Sequence, residues 1–406
     1  QMIAQQVRRC LVIAPLSTLT PTWMNELFMY FPGRSAVVVH GTRKKRQRLM
    51  AEDHDFYIIN HDGVQVVLDE IMAREDIDCV ILDELALYRE QGTDRWKFTQ
   101  RIVKDVKYVW GLTGAPTPNA PTDAYGQIKL LQPSKVGSYK RFRDSTMIQL
   151  TQFKWVARQD ANDTVHSLMQ PSVRYKLEDC VDIPETTYST RELKQSAVQE
   201  KFYTRLKNAM ALQYKEHMID AVNEGVLMGK LLQVACGWVY TSEKKTLCLQ
   251  PTARLAELDS IVDEADRKLI VFVPFIHALH SVAAHLAKKT TVEVVYGGVS
   301  KKQRDCIFYR FQKAVDPHVI VAHPKTMSHG LTMTEANTIV WFSPADGLDT
   351  YIQANARIVR PGQKHKPHIV HLQGTPIEKR VYKRLEKNEA LQGALLEMFD
   401  GVQDNA

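Results

Sequence analysis

The sequence predicts an α/β chain of two parallel sheets, each covered by helices and joined through a helical insertion, on three observations. Short apolar runs rich in β-branched residues alternate with helical patterns through the first third; the same alternation returns from about residue 254; the stretch between them has long polar segments of helical spacing and few continuous strands. At 406 residues the chain exceeds what one hydrophobic core usually organises, so two domains suit its length.

The first lobe is expected over residues 1–135, with strands at CLVIA (10–14), SAVVVH (35–40), FYIIN (56–60), DCVILD (78–83) and YVWGLTG (108–114). Near-continuous apolar runs of this kind suit a parallel sheet buried on both faces. Residues 136–249 read as a helical insertion or linker, with helical spacing over 195–223. The second lobe, 250–395, brings KLIVFV (268–273), TVEVVYG (291–297), HVIVAH (318–323), NTIVWFS (337–343) and HIVHLQ (368–373), and a tail follows at 396–406.

Hydrophobic residues make up 44% and charged residues 24%, the balance of an ordinary soluble globular protein. No apolar run approaches the roughly 20 residues that a membrane-spanning helix needs, so no membrane partner is expected. Six cysteines lie far apart without a CxxC pair, which argues against a zinc or redox motif and suits a reducing, cytoplasmic setting. A net charge of +7 and a pI near 8.9 point to a polyanionic partner bound by counterion release without sequence readout.

Open α/β sheets bind ligands beyond the carboxyl ends of their strands, so chemistry is sought just after these runs. VILDELA at 80–86 places Asp83 and Glu84 after an apolar strand, where the first carboxylate can hold magnesium and the second can orient or deprotonate an attacking water. The same pair also suits a solvated strand end. The next strand closes with GLTGAPTPN at 111–119, where Gly114 and the prolines predict a tight loop and Thr113 offers a hydroxyl near the acidic pair. In QANARIVRPGQ, at 353–363, Gln353, Arg357 and Arg360 have the i, i+4, i+7 spacing of one helix face, ended by Pro361 and Gly362. Permanently charged Arg suits a developing γ-phosphate charge, although a solvated basic face has the same spacing. Five matched positions of this pattern arise by chance in such a chain only about once in ten thousand.

Taken together the chain resembles the Swi/Snf-related branch of the superfamily 2 helicases and translocases, over nearly all its length. The motifs run in order: LVIAPLSTLTPTWMNEL (11–27), DELA (83–86), LTGAPTPN (112–119), LLQVACG (231–237), KLIVFV, SHGLTMTEANTIVWFSP (328–344), QANARIVRPGQ and GTPIEKRVYKRLEK (374–387). The resemblance implies two RecA-like lobes, ATP and Mg2+ as cofactors, and double-stranded DNA bound independently of sequence. It implies that Asp83 and Glu84 coordinate magnesium and activate water, that Arg357 and Arg360 reach the nucleotide phosphates, and that Gln353, Thr113, Gly114 and Gly330 couple nucleotide to DNA. Pro15, Ser17, Thr18, Ser328 and Thr332 would touch the phosphate backbone, which carries no base information.

Motif II reads DELA where many relatives carry DEAH or DEGH, and motif V has His329 and Thr332 in place of a glycine-rich run followed by Asn. The family's GxxxxGK[ST] phosphate loop is not found in these residues. A first lobe continuing upstream is therefore expected, with a non-hydrolysing DNA-binding scaffold or a strand-separating helicase as alternatives to a duplex translocase of compact bacterial or phage type. The run Arg43-Lys44-Lys45-Arg46-Gln47-Arg48 opens a helix that suits either DNA phosphate or solvent. Trp155, Trp238 and Trp341 read as core.

Overall fold

The computed structural model describes the chain except residues 1–6, 115, 118–119, 152–154, 174–181, 216–220, 241–245, 328–331 and 388–406. It divides into two compact units, residues 1–173 and 174–406.

The first unit is built on a parallel five-stranded sheet in the order β2-β3-β1-β4-β5. Its strands are β1 (Cys10–Ala14), β2 (Ala36–Val38), β3 (Phe56–Asn60), β4 (Cys79–Asp83) and β5 (Tyr108–Leu112). All five residues of β1 are buried, because it lies in the middle with a helical layer on each face. Leu11, Ile13, Tyr57, Ile59, Val80 and Leu82 face one core, and Cys10, Val12, Ala14, Ile58 and Cys79 face the other. This is the alternation of side chains across a pleated strand. A satellite cluster of Ala124, Tyr125, Ile128, Val136, Phe142 and Val165 follows, with the antiparallel hairpin β6 (Met147–Gln149) and β7 (Trp155–Ala157) beside it. Trp155 is only half-buried there, and the Arg143 guanidinium lies 3.9 Å from its ring centroid, so it makes a cation–π pair rather than the core contact expected.

The second unit holds a parallel six-stranded sheet in the order β12-β13-β11-β14-β15-β8. Its strands are β8 (Thr187–Glu192), β11 (Lys268–Phe272), β12 (Val292–Val295), β13 (Val319–Ala322), β14 (Ala336–Trp341) and β15 (His368–Gln373), and a short hairpin, β9 (Trp238–Tyr240) with β10 (Thr246–Cys248), stands apart. Trp341 and Trp238 are buried, as expected.

Residues 136–249 thus differ from the expected insertion. Their first part packs in the first unit, and the helices Ala197–Lys215 and Ala221–Cys236 contribute Tyr203, Met210, Met228, Leu231 and Leu232 to the core of the second. Their strand β8, with sequence TYSTRE, forms the sheet edge beside β15. No apolar run announces it, because an edge strand wet on one face is stabilised by its backbone ladder and by β-forming Thr and Tyr. At the far end of β15, buried Arg254 pairs with buried Glu378 at 2.7 Å, and Glu378 also accepts from the Gly374 amide and the Thr375 hydroxyl. All members of that network are satisfied, which is the condition for burying charge. Among the described residues no helix is long and apolar enough to cross a membrane.

Candidate functional site

In the first unit β4 pairs with β5 in a register that sets Asp83 opposite Leu112, so the residues following both strands emerge side by side. Asp83 and Glu84 therefore lie beside Thr113 and Gly114 at the carboxyl edge of the sheet, as the motif spacing predicts. Glu84 adopts φ 57° and ψ 54°, the left-handed region that a non-glycine residue enters at a cost of about 1–2 kcal/mol. That turn reverses the chain into the short 3-10 segment Leu85–Tyr88, whose Leu85 is buried. Leu85 fits because Gly111 has no side chain: a Cβ there would meet Leu85 Cδ2 at 2.5 Å. A strained residue held by its surroundings is a common mark of a functional position.

The Asp83 carboxylate is held from two sides. Its Oδ1 accepts the Glu84 backbone N–H at 3.0 Å, and its Oδ2 accepts the Trp23 indole N–H at 2.9 Å. The loop after β5 is fastened by fully buried Gln127, whose amide donates to the Pro116 carbonyl at 2.6 Å and the Asp123 carbonyl at 2.8 Å. Trp23 lies within the 11–27 motif but was given no role there, and Gln127 had no motif spacing to single it out. A tryptophan nine residues beyond a buried strand and a glutamine in a mostly apolar helical turn were the signals available.

Of the residues expected near DNA in this unit, Ser17 is half-buried, whereas Pro15 and Thr18 are buried. The Thr18 hydroxyl donates to the Pro15 carbonyl at 3.0 Å and so closes the turn after β1. Of the three, Ser17 has the most accessible side chain. The basic run is likewise divided. Its helix, Arg43–Ala51, is capped by the Thr42 side chain, but Arg46 is buried and donates to the Val39 and Gly41 carbonyls and to Asn60 Oδ1.

In the second unit the arginine motif departs from the expected single helix face. The helix Leu348–Asn355 carries Gln353 but ends before Arg357, and both arginines lie on the turn that follows. Past the helix end the Arg357 and Ile358 N–H groups turn to carbonyls three residues back, and Pro361 has no N–H to give the Arg357 carbonyl. That carbonyl takes the Met333 backbone N–H at 2.9 Å instead. Buried Gln363 completes the departure, its amide donating to the Ile358 carbonyl at 3.2 Å and the Ala336 carbonyl at 2.9 Å while its oxygen accepts the His365 N–H at 3.0 Å. Gly362, at φ 90°, sits in the bend.

The two arginines are not equivalent. Arg357 is buried, with its Nε donating to the Gln353 carbonyl at 2.8 Å. Arg360 is half-buried, and burial lowers its pKa from the usual guanidinium value; it stays charged regardless. Gln353 donates to Asp349 Oδ1 at 3.0 Å. Thr332 is exposed just before buried Met333, while Ser328 and Gly330 lie outside the described residues.

Carboxylates of this kind can bind a hard cation and orient water, and a half-buried guanidinium can stabilise phosphate charge. The SNF2-related domain matches residues 2–243, and the helicase conserved C-terminal domain matches residues 253–362. A putative protein, p41, of Acyrthosiphon pisum secondary endosymbiont phage 1 is 24% identical over 97% of this chain and 88% of its own length. The putative ATP-dependent helicase/translocase YwqA of Bacillus subtilis is 22% identical over 97% of this chain, which spans only 44% of that relative. An uncharacterized ATP-dependent helicase of Mycoplasma genitalium is 21% identical, with 37% of its length covered. The Sulfolobus solfataricus SWI2/SNF2 ATPase core in complex with dsDNA is 20% identical over 95% of this chain and 81% of that one, with a TM-score of 0.42.

Proposed function

The chain belongs to the SNF2-related family, and from that premise we propose that it is the motor core of an ATP-dependent enzyme that moves along double-stranded DNA without reading its sequence. The observation that carries the proposal is the placement of Asp83 and Glu84 at the carboxyl end of β4, with Thr113 just past the end of the neighbouring strand.

The donor chemistry fits magnesium. Mg2+ takes oxygen ligands and is commonly held by one or two carboxylates together with substrate phosphates. Among the described residues each Asp83 oxygen accepts one hydrogen bond and has a second lone pair to offer. Among the described residues no group of three or more His, Cys, Asp or Glu side chains could cage an ion unaided. Asp83 would hold the ion, which when bound offsets the charge of the nucleotide phosphates. Glu84 orients the attacking water and accepts its proton. Arg360, on its clamped turn, stabilises the charge that develops on the γ-phosphate, and Arg357 ties that turn to the helix before it through the Gln353 carbonyl. Ser17 and Thr332 contact the DNA backbone, which supports movement indifferent to sequence.

The test is ATP hydrolysis by the full gene product with and without duplex DNA, combined with displacement of a third strand from a triplex. Duplex-stimulated turnover and triplex displacement with the underlying duplex left paired are expected. Turnover indifferent to DNA, or separation of duplex strands, would overturn the translocase reading.

A further inference from the structure

Trp23 is placed in the first unit by an unusual piece of backbone. Residues Leu19–Met24 form a π-helical turn, in which the Thr18 carbonyl accepts from both the Thr22 N–H at 3.2 Å and the Trp23 N–H at 3.0 Å. Such wide turns are rare and concentrate at functional sites. The Trp23 ring packs against the cluster that contains Cys10, Val12, Ala14 and Leu19, so its orientation is set by the core beneath the sheet. Its N–H is spent on Asp83 Oδ2, 60 residues away in sequence.

An indole N–H only donates, so Trp23 cannot itself ligate a cation. What it does is occupy one lone pair of Oδ2 while the Glu84 amide occupies one of Oδ1. Between them the two donors fix the rotation of the carboxylate and leave one lone pair on each oxygen facing elsewhere. We propose that Trp23 is a positioning residue that holds the Asp83 carboxylate in its cation-binding orientation. The proposal rests on the reading of Asp83 as the magnesium carboxylate. Partners that orient a metal's ligand commonly change affinity by 10- to 100-fold when removed.

Mn2+ serves as the probe, with free ion counted by electron paramagnetic resonance on the full gene product. Trp23→Phe, which keeps a ring in the core and deletes the donor, is expected to weaken Mn2+ binding roughly tenfold. A benzothienylalanine at position 23, with sulfur in place of N–H and the indole shape retained, should do the same, so that lost packing is separated from the lost hydrogen bond. In 15N-indole spectra the peak removed by Trp23→Phe is that of Trp23; it should broaden on Mn2+ addition and shift upfield in Asp83→Asn. Wild-type Mn2+ affinity in the sulfur analogue would sink the positioning role while leaving Asp83 as the metal carboxylate. Undiminished Mn2+ binding by Asp83→Asn would instead remove the reading on which both ideas stand.

Discussion

The carboxylates after β4 and the arginines after the Leu348–Asn355 helix reach their places by different physical routes. Asp83 ends a buried strand whose register with β5 is set by the sheet, and only the left-handed turn at Glu84 is unusual. Arg357 and Arg360 lie past the end of their helix, on a turn held by the Met333 amide and by the side chain of Gln363. The first group is thus a consequence of sheet formation and the second of buried polar contacts from outside the helix. The difference teaches that chemistry and stability should separate cleanly at the carboxylates and at exposed parts of the arginine turn, but not where that turn is fastened.

The largest effect expected is at Arg360. Arg360→Ala should lower turnover by about 10³- to 10⁵-fold, the range for loss of an arginine that stabilises phosphoryl transfer. Duplex binding should be little changed, and an active variant would remove Arg360 from the site. Next comes Gln363→Leu, which leaves the Ala336 and Ile358 carbonyls and the His365 N–H without their partner. A loss of about 3 kcal/mol in urea unfolding is expected, accompanied by lost turnover. Unchanged stability with lost turnover would mean that the turn is not fastened by Gln363, and the contrast between the halves would collapse. The smallest effect on stability is at Glu84. Glu84→Gly and Glu84→Ala should both lose turnover, yet the glycine variant should be more stable than the alanine variant by about 1 kcal/mol, because only Gly enters the left-handed region freely. Equal melting of the two would show that no strain is stored there.

Ten strand runs visible in the sequence are strands of the two sheets, and the acidic pair stands where the apolar run before it predicts. These features are local: a run of buried β-branched residues marks a strand in a parallel sheet almost regardless of context. Strand β8 was not visible, since TYSTRE earns its place from pairing with β15, about 180 residues away. The helix through Arg360 was overestimated for a related reason. Spacing alone allows one face, and the competition for the Arg357 and Ile358 carbonyls is settled by Met333 and Gln363.

By itself, then, the sequence determined two βα sheets, the family and the identity of the ionic residues, because periodicity and motif order are properties of neighbouring positions. Tertiary structure alone decided that Trp23 grips Asp83, that Arg46 and Thr18 are turned inward, and that Arg357 is buried while Arg360 is half-exposed. The physical reason is that a donor or a guanidinium is assigned its partner by what else is buried within hydrogen-bond reach, and that neighbourhood exists only once distant segments have packed.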